Sequence, residues 1–138
     1  MRAADLRNAI RASGLRATSA RIAVCEVLAA TSQALSQADL VERLPDEHDR
    51  TTIYRVLAAL VRSRLLRRIE TGDRVWRYRF VRAESHGVIT SFVCTECDRV
   101  TDLTGVELRA AGAVPRAFTQ RTIEVLVRGV CDACTRAR

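Results

Sequence analysis

Four of the five cysteines fall in two C-x-x-C pairs, Cys94-Thr-Glu-Cys97 and Cys131-Asp-Ala-Cys134, with 33 residues between them. Each pair lets two thiolates reach one ion from a tight turn. Two pairs complete a tetrahedral shell with metal–sulfur distances of roughly 2.3 Å. A shell made only of thiolates leaves no open position, so the cofactor implied is one structural Zn²⁺ per chain. The competing chemistry is a pair of redox dithiols, because C-x-x-C spacing also lowers a thiol pKa. Two pairs at strand ends of a small cytosolic domain favour zinc, and a permanent disulfide framework does not suit that compartment. Cys25 sits in the middle of an apolar helical stripe and reads as a small core residue. His48 reads as a surface histidine in the polar PDEHD loop. There is no glycine-rich phosphate loop, no G-x-S-x-G and only two histidines, so an enzyme is not expected.

The second stretch with a chemical reading is Asp49–Arg64, DRTTIYRVLAALVRSR. Ile53, Val56, Leu57 and Leu60 recur at i, i+3, i+4 and i+7, which predicts a helix with one buried stripe. A hydroxyl of Thr51 or Thr52 can cap its start by accepting from an orphan backbone N–H. The remaining face carries Thr52, Tyr54, Arg55 and Arg62. An arginine fork can read guanine O6 and N7 in the major groove, and an apolar edge can touch a thymine methyl. The alternative is a surface helix with a solvated basic face.

Charge distribution favours the first reading. The chain carries a formal charge of +7, and all 23 of its basic residues are arginine. Residues 1–82 hold 16 arginines against 9 acids, whereas residues 83–138 hold 7 against 7. The excess is confined to the first part, as expected of a nucleic-acid binder. No basic amphipathic helix with a broad apolar face points to a membrane surface. No apolar run reaches the roughly 20 residues that span a bilayer. The opening MRAADLRNAI lacks the apolar centre of a signal peptide, so a cytoplasmic protein is expected.

These residues need elements to position them. Residues 4–13 predict a helix with Leu6 and Ile10 on one face and Gly14 as its stop. A second helix is expected over 19–30, with Ile22, Cys25 and Leu28 on a stripe flanked by Val24 and Val27. Ser36 and Asp39 form a capping box for a third, which Pro45 ends. After the Asp49–Arg64 helix, RRIE, a TGD turn and RVWRYRF predict a hairpin. Trp76, Tyr78 and Phe80 are placed on one of its faces, and Val75, Arg77 and Arg79 on a basic one. Helices followed by a basic hairpin are the order of a winged helix-turn-helix, whose wing runs along the phosphate backbone, with Arg77 among its contacts. A small α+β domain kept soluble by its basic hairpin is the plainer alternative. Residues 82–87 read as a polar linker. GVITSFVC, DRVTDL and TIEVLVRGV predict three strands, and VELRAAGAV a short helix. A unit of about 50 residues is marginal by itself and needs a staple or a partner. The expected class is α+β: a winged-helix DNA-binding domain over 1–81, a linker over 82–87, and an α/β dimerisation domain with a Cys₄ zinc site over 88–138.

Taken together, these motifs resemble the ferric uptake regulator family of bacterial metal-responsive repressors, from about Leu6 to Cys134. GLRATSAR at 14–21 resembles the family's opening, and TTIYRVLAAL at 51–60 its recognition helix. FVCTECDRV at 92–100 and GVCDAC at 129–134 resemble its two zinc-binding pairs. The resemblance implies a cytoplasmic homodimer that binds AT-rich inverted repeats of double-stranded DNA as a transcription regulator, a repressor. By position, Tyr54 and Arg55 would touch bases, with Thr51 and Thr52 beside them. Arg16 would stand where a basic residue enters a narrow minor groove, which attracts arginine.

The chain departs from the family at its sensing sites. Histidines expected three and five residues before the first cysteine are replaced by Ser91 and Ile89. Arg79 stands for an acidic residue of the wing, Gln33 and Ala34 for a histidine before the third helix, and Ile123 for one before the third cysteine. Serine, alanine and isoleucine are not ligands for Fe²⁺, Mn²⁺ or Zn²⁺, and an arginine repels the cation. Asp98 replaces a common glycine. The expectation is therefore a structural zinc, a lost regulatory site and DNA binding that needs no second metal. Two alternatives stay open: a thiol redox sensor switched at the Cys₄ site, or a metal sensor displaced to Glu84, His86 and Asp102. A zinc ribbon that binds protein or RNA is a third.

Overall fold

Leu6 and Ile10, one helical turn apart, are both fully buried and seat the first helix, α1 (Ala3–Ala12), on the core. Gly14 follows at φ +82°, a left-handed conformation that glycine adopts without a Cβ clash. The computed structural model describes residues 2–45, 47–81, 88–103, 105, 106, 109, 111–113 and 123–137. The chain divides into two units, Met1–Val81 and Arg82–Arg138.

In the first unit α2 spans Ser19–Ala29, with the Thr18 hydroxyl accepting from the N–H of Arg21. Its buried stripe is Ala20, Val24, Cys25 and Leu28. Ile22 and Val27 are only partly buried, so Val24 takes the central place that the sequence pattern gave to Ile22. The capping box opens α3 (Gln37–Arg43): the Asp39 N–H donates to Ser36 Oγ at 3.2 Å and the Ser36 N–H to Asp39 Oδ2 at 2.8 Å.

Helix α4 runs Arg50–Arg62 and buries Ile53, Val56, Leu57, Ala59 and Leu60. Its cap is Asp49, not either threonine: Asp49 Oδ1 accepts from the Thr52 N–H at 2.6 Å. A carboxylate both satisfies the orphan donor and faces the positive end of the helix dipole, which a hydroxyl does less well. At the other end the Leu65 N–H returns to the Leu60 carbonyl and the Arg64 N–H to Val61, both at 3.0 Å. Arg64 is thereby held at φ 62°, the position that glycine usually fills.

Strands β2 (Leu66–Glu70) and β3 (Trp76–Phe80) form the hairpin, with Arg68 opposite Tyr78 and Glu70 opposite Trp76. The two-residue β1 (Leu35–Ser36) pairs with the outer edge of β3, giving the order β1-β3-β2. Such a short strand leaves no periodicity in the sequence. Tyr78 and Phe80 join the helical core, whereas Trp76 stays 39% exposed. The face expected to be basic is only partly so, because Arg79 is buried.

In the second unit β4 (Val88–Cys94) lies between β5 (Val100–Asp102), which is antiparallel to it, and β6 (Ile123–Gly129), which is parallel. A short helix, α5 (Asp132–Arg136), follows Cys131. The helix expected over 106–114 falls largely outside the described residues. Among those described, the buried apolar residues of this unit are Val93, Cys94 and Val100, far fewer than in the first.

Ser36→Ala is expected to cost about 1 kcal/mol in urea unfolding by opening the capping box. Burial raises the Asp39 pKa, but hydrogen bonds from the Ser36 hydroxyl and N–H outweigh it and leave it below 3.8. Its stabilising effect is whole above that value and is lost as pH falls through the lowered one. The stability gap between wild type and Asp39→Asn should therefore persist at pH 7 and close below about pH 4. Arg64→Gly should stabilise the chain by about 1 kcal/mol, by relieving the left-handed backbone.

Candidate nucleic-acid interface and metal centre

Strand register assembles the four cysteines. Parallel pairing sets Cys94 opposite Gly129, and two residues later the Cys131 N–H donates to Cys94 Sγ at 3.4 Å. Gly129 packs closely there: a Cβ at that position would lie 3.1 Å from the Phe92 ring, tighter than an ordinary contact. Its carbonyl accepts from the Thr95 N–H at 2.8 Å and the Thr95 hydroxyl at 3.3 Å, tying the first cysteine turn to the end of β6. That turn closes through the Asp98 N–H on the Cys94 carbonyl at 3.0 Å. Asp98 sits at φ 55°, where a glycine is easiest and an aspartate is tolerated. Helix α5, with Cys131 as its N-cap, brings Cys134 back to the cluster.

The four sulfur atoms lie within 4.8 Å of one another. Cys94–Cys134 and Cys97–Cys131 are each 3.9 Å apart. A tetrahedron with metal–sulfur bonds of roughly 2.3 Å has edges of roughly 3.8 Å, so the donor set fits Zn²⁺ in both number and spacing. The Cys131 N–H is the chief cause that lowers Cys94 to about 6, against burial, with backbone N–H groups of Cys97 and Glu96 adding to it. Cys134 holds its proton hardest, pushed up to about 12 by the side chains of Cys131 and Cys97. This is the one metal-type cluster of histidine, cysteine or acidic side chains among the described residues. Asp102 is not in it. It stands on β5 opposite Ser91, whose hydroxyl donates to it at 3.5 Å. Glu84 and His86 lie outside the described residues.

The apolar stripe of α4 turns the opposite face outward. Tyr54 is 60% exposed, Thr51 and Arg55 are exposed, and Thr52 is half-buried beside them. Arg16 is also exposed, with its carbonyl taken by Arg21 Nη1 at 2.7 Å. Arg77 is placed differently from a free phosphate contact. Its guanidinium donates to Asp73 Oδ2 at 2.7 Å and to Thr71 Oγ1 at 2.8 Å, clasping the hairpin turn. This pair holds the Asp73 carboxyl well below the usual carboxylate range.

Two further arginines have surroundings that sequence alone did not reveal. The Arg68 guanidinium stacks on the Trp76 ring at 3.8 Å. Buried Arg79 donates to the Ser32 carbonyl, one residue before Gln33. The i, i+4 spacing of Asp73 and Arg77 is a visible signal, but it is normally sought on helices rather than across a turn. Nothing in the sequence marks the 47-residue step from Arg79 to Ser32.

Four helices and a three-stranded sheet with a wing hairpin make a winged-helix unit, and a second α/β unit gathers four cysteines that could hold a metal ion. The chain belongs to the ferric uptake regulator family, whose sequence profile matches residues 12–122. Members of that family are DNA-binding regulators, so this chain is not an enzyme. The Helicobacter pylori ferric uptake regulator, described as having three functional metal sites, superposes with a TM-score of 0.61 at 18% identity, over 96% of this chain and 90% of that one. A zinc uptake regulator complexed with zinc and DNA gives 0.67 at 20%, over 98% and 93%. The Vibrio cholerae ferric uptake regulator gives 0.63 at 20%, over 88% and 98%. At these identities the likeness is one of fold. No protein curated for function matches the chain in sequence. Among the described residues, no helix is long and apolar enough to cross a membrane.

Thiol accessibility gives a direct check. Cys25 is fully buried, and burial, with Glu26 adding to it, pushes its thiol up to about 12. In native metal-free protein, iodoacetamide should label Cys97 readily and leave Cys25 untouched until the chain is unfolded. Adding Zn²⁺ should protect all four clustered cysteines together. Protection of only two would contradict a four-thiolate site.

Proposed function

We propose that the chain is a homodimeric transcription repressor that binds AT-rich inverted repeats of double-stranded DNA. It holds one structural zinc per chain and needs no regulatory metal. The observation that carries this reading is the exposure of Tyr54 and Arg55 on a helix whose other side is locked into the core. Such a helix enters the major groove as a rigid body, with Arg55 free to read a guanine edge. Thr51 and Thr52 lie at its leading end, and exposed Arg16 reaches for the minor groove. The zinc uptake regulator that shares this fold is in complex with zinc and DNA, which supports the same use of this unit.

Cys94, Cys97, Cys131 and Cys134 would hold the zinc. Bound there, the ion crosslinks the β4–β5 turn to α5 and offsets the small core of the second unit. Strand β6 lies at an edge of its sheet among the described residues, with Leu126 and Val127 39% and 37% exposed. Apolar exposure on a sheet edge fits a second copy of the chain, and so supports the homodimer.

Loss of the regulatory metal is supported by Arg79. Its buried guanidinium donates to the Ser32 carbonyl, beside Gln33 and Ala34, where the family resemblance leads to the expectation of a histidine. A fixed positive charge there excludes a divalent cation. Ser91, fully buried on β4, supplies a hydroxyl where an imidazole is expected.

Metal content and DNA affinity, measured together, test the reading. Untagged protein equilibrated anaerobically with excess Zn²⁺, Mn²⁺ and Fe²⁺ should retain one zinc per chain. A duplex selected from a random library should be bound equally with or without added metal. Arg55→Ala should lose roughly 1–3 kcal/mol on that duplex and relax the preference at one base pair. A second, exchangeable ion that changes affinity tens-fold, an allosteric coupling of ~2 kcal/mol, would overturn metal independence.

A further inference from the structure

Helix α4 and the wing hairpin enclose an open cleft of about 280 Å³, lined by Tyr54, Ala58, Val61, Arg62, Arg68 and Tyr78. Its cations come from different elements: Arg62 from the last turn of α4 and Arg68 from β2. Both are exposed, and neither has an ion-pair partner among the described residues. Two guanidinium groups around one cleft repel each other, and an anion between them removes that cost.

Arg68 is oriented in advance. It lies opposite Tyr78 in the hairpin register, and its guanidinium stacks on Trp76 at 3.8 Å. Trp76 is 39% exposed, so its ring contributes little to the core and serves as a platform. Stacking occupies the face of a guanidinium and leaves its in-plane donors open to an oxyanion. Tyr78 offers a phenol O–H, and burial shifts its pKa further upward against the nearby Arg68 guanidinium.

We propose that this cleft takes a phosphodiester of the DNA backbone, with Arg62 and Arg68 as its cationic walls and Trp76 as the positioning residue for Arg68. The proposal rests on the DNA-binding reading and assigns the phosphate contact to residues other than Arg77, whose guanidinium is engaged by Asp73. DNA is the source of the phosphate because Tyr54 belongs both to the cleft and to the exposed front of α4. A strand whose bases meet Tyr54 and Arg55 brings its backbone to the opening. Such contacts fix the register of a protein on the duplex and carry no sequence information themselves.

The test is the salt dependence of affinity, measured on a selected duplex and on an unrelated one. Arg62→Gln with Arg68→Gln should weaken binding to both duplexes alike and flatten the slope of log affinity against log salt by about 1. Trp76→Leu, with both arginines kept, should weaken both duplexes less than the double change, and Trp76→Tyr should restore most of that loss. Arg55→Ala, by contrast, should weaken the selected duplex more than the unrelated one. An unchanged slope in the double variant, or a loss confined to the selected duplex, overturns the phosphate cleft while leaving DNA binding intact. Failure of the wild type to bind any duplex overturns the DNA-binding reading as well. Far-ultraviolet circular dichroism and thermal melting of each variant separate a lost contact from a lost fold.

Discussion

Burial of Ile53, Val56, Leu57 and Leu60 against the helices and the wing sheet fixes the rotation of α4 about its own axis. Everything proposed for the first unit depends on that rotation. A helix turned by one residue, about 100°, would bury Tyr54 and present aliphatic side chains to solvent. That turn would expose Ile53, Val56 and Leu60, at about 1.5–3 kcal/mol each, and would shelter in exchange Tyr54, Ala58 and the already half-buried Val61, a poorer set to bury. Asp49 at one end and the left-handed Arg64 at the other limit the helix to thirteen residues. The exposed front is thus a consequence of how the back is packed.

The second unit follows a different logic. Its described core is small, and sheet register with hydrogen bonds, rather than apolar volume, brings its parts together. Parallel pairing of β4 with β6 sets Cys94 beside Gly129, and the Gly129 carbonyl receives both the amide and the hydroxyl of Thr95. Four thiols then meet at spacings that suit a tetrahedral ion. A metal crosslink contributes most where a hydrophobic core contributes least, so the proposed zinc would supply what the core of this unit lacks.

Arginine replaces lysine throughout this chain, and the structure gives individual arginines distinct tasks. Arg77 clasps a turn, Arg79 donates to a distant carbonyl from a buried position, and Arg68 sits over an indole ring. Each uses the planar, multiply donating guanidinium in a way that an ammonium cannot match. The +7 charge of residues 1–82 is therefore not a uniform basic coat, because part of it is spent on architecture.

Much was legible in the sequence because it depends on short-range spacing. The stripe of α4, the Ser36–Asp39 capping box, the hairpin and the two C-x-x-C pairs are patterns of residues close together in the chain, and each appears where its spacing places it. The cap of α4 was misread because threonines at 51 and 52 and the aspartate at 49 are all competent acceptors, and only the realised helix start selects among them. Four features were decided by tertiary structure: the two-residue β1, the parallel partnership of β4 and β6, the burial of Arg79 and the stacking of Arg68 on Trp76. Each joins residues through a chain reversal or a long connection, and the chosen partner depends on the packing of all the elements between. Local spacing determined which elements form and which thiols can share an ion. Which surface each arginine serves emerged only when those elements were packed.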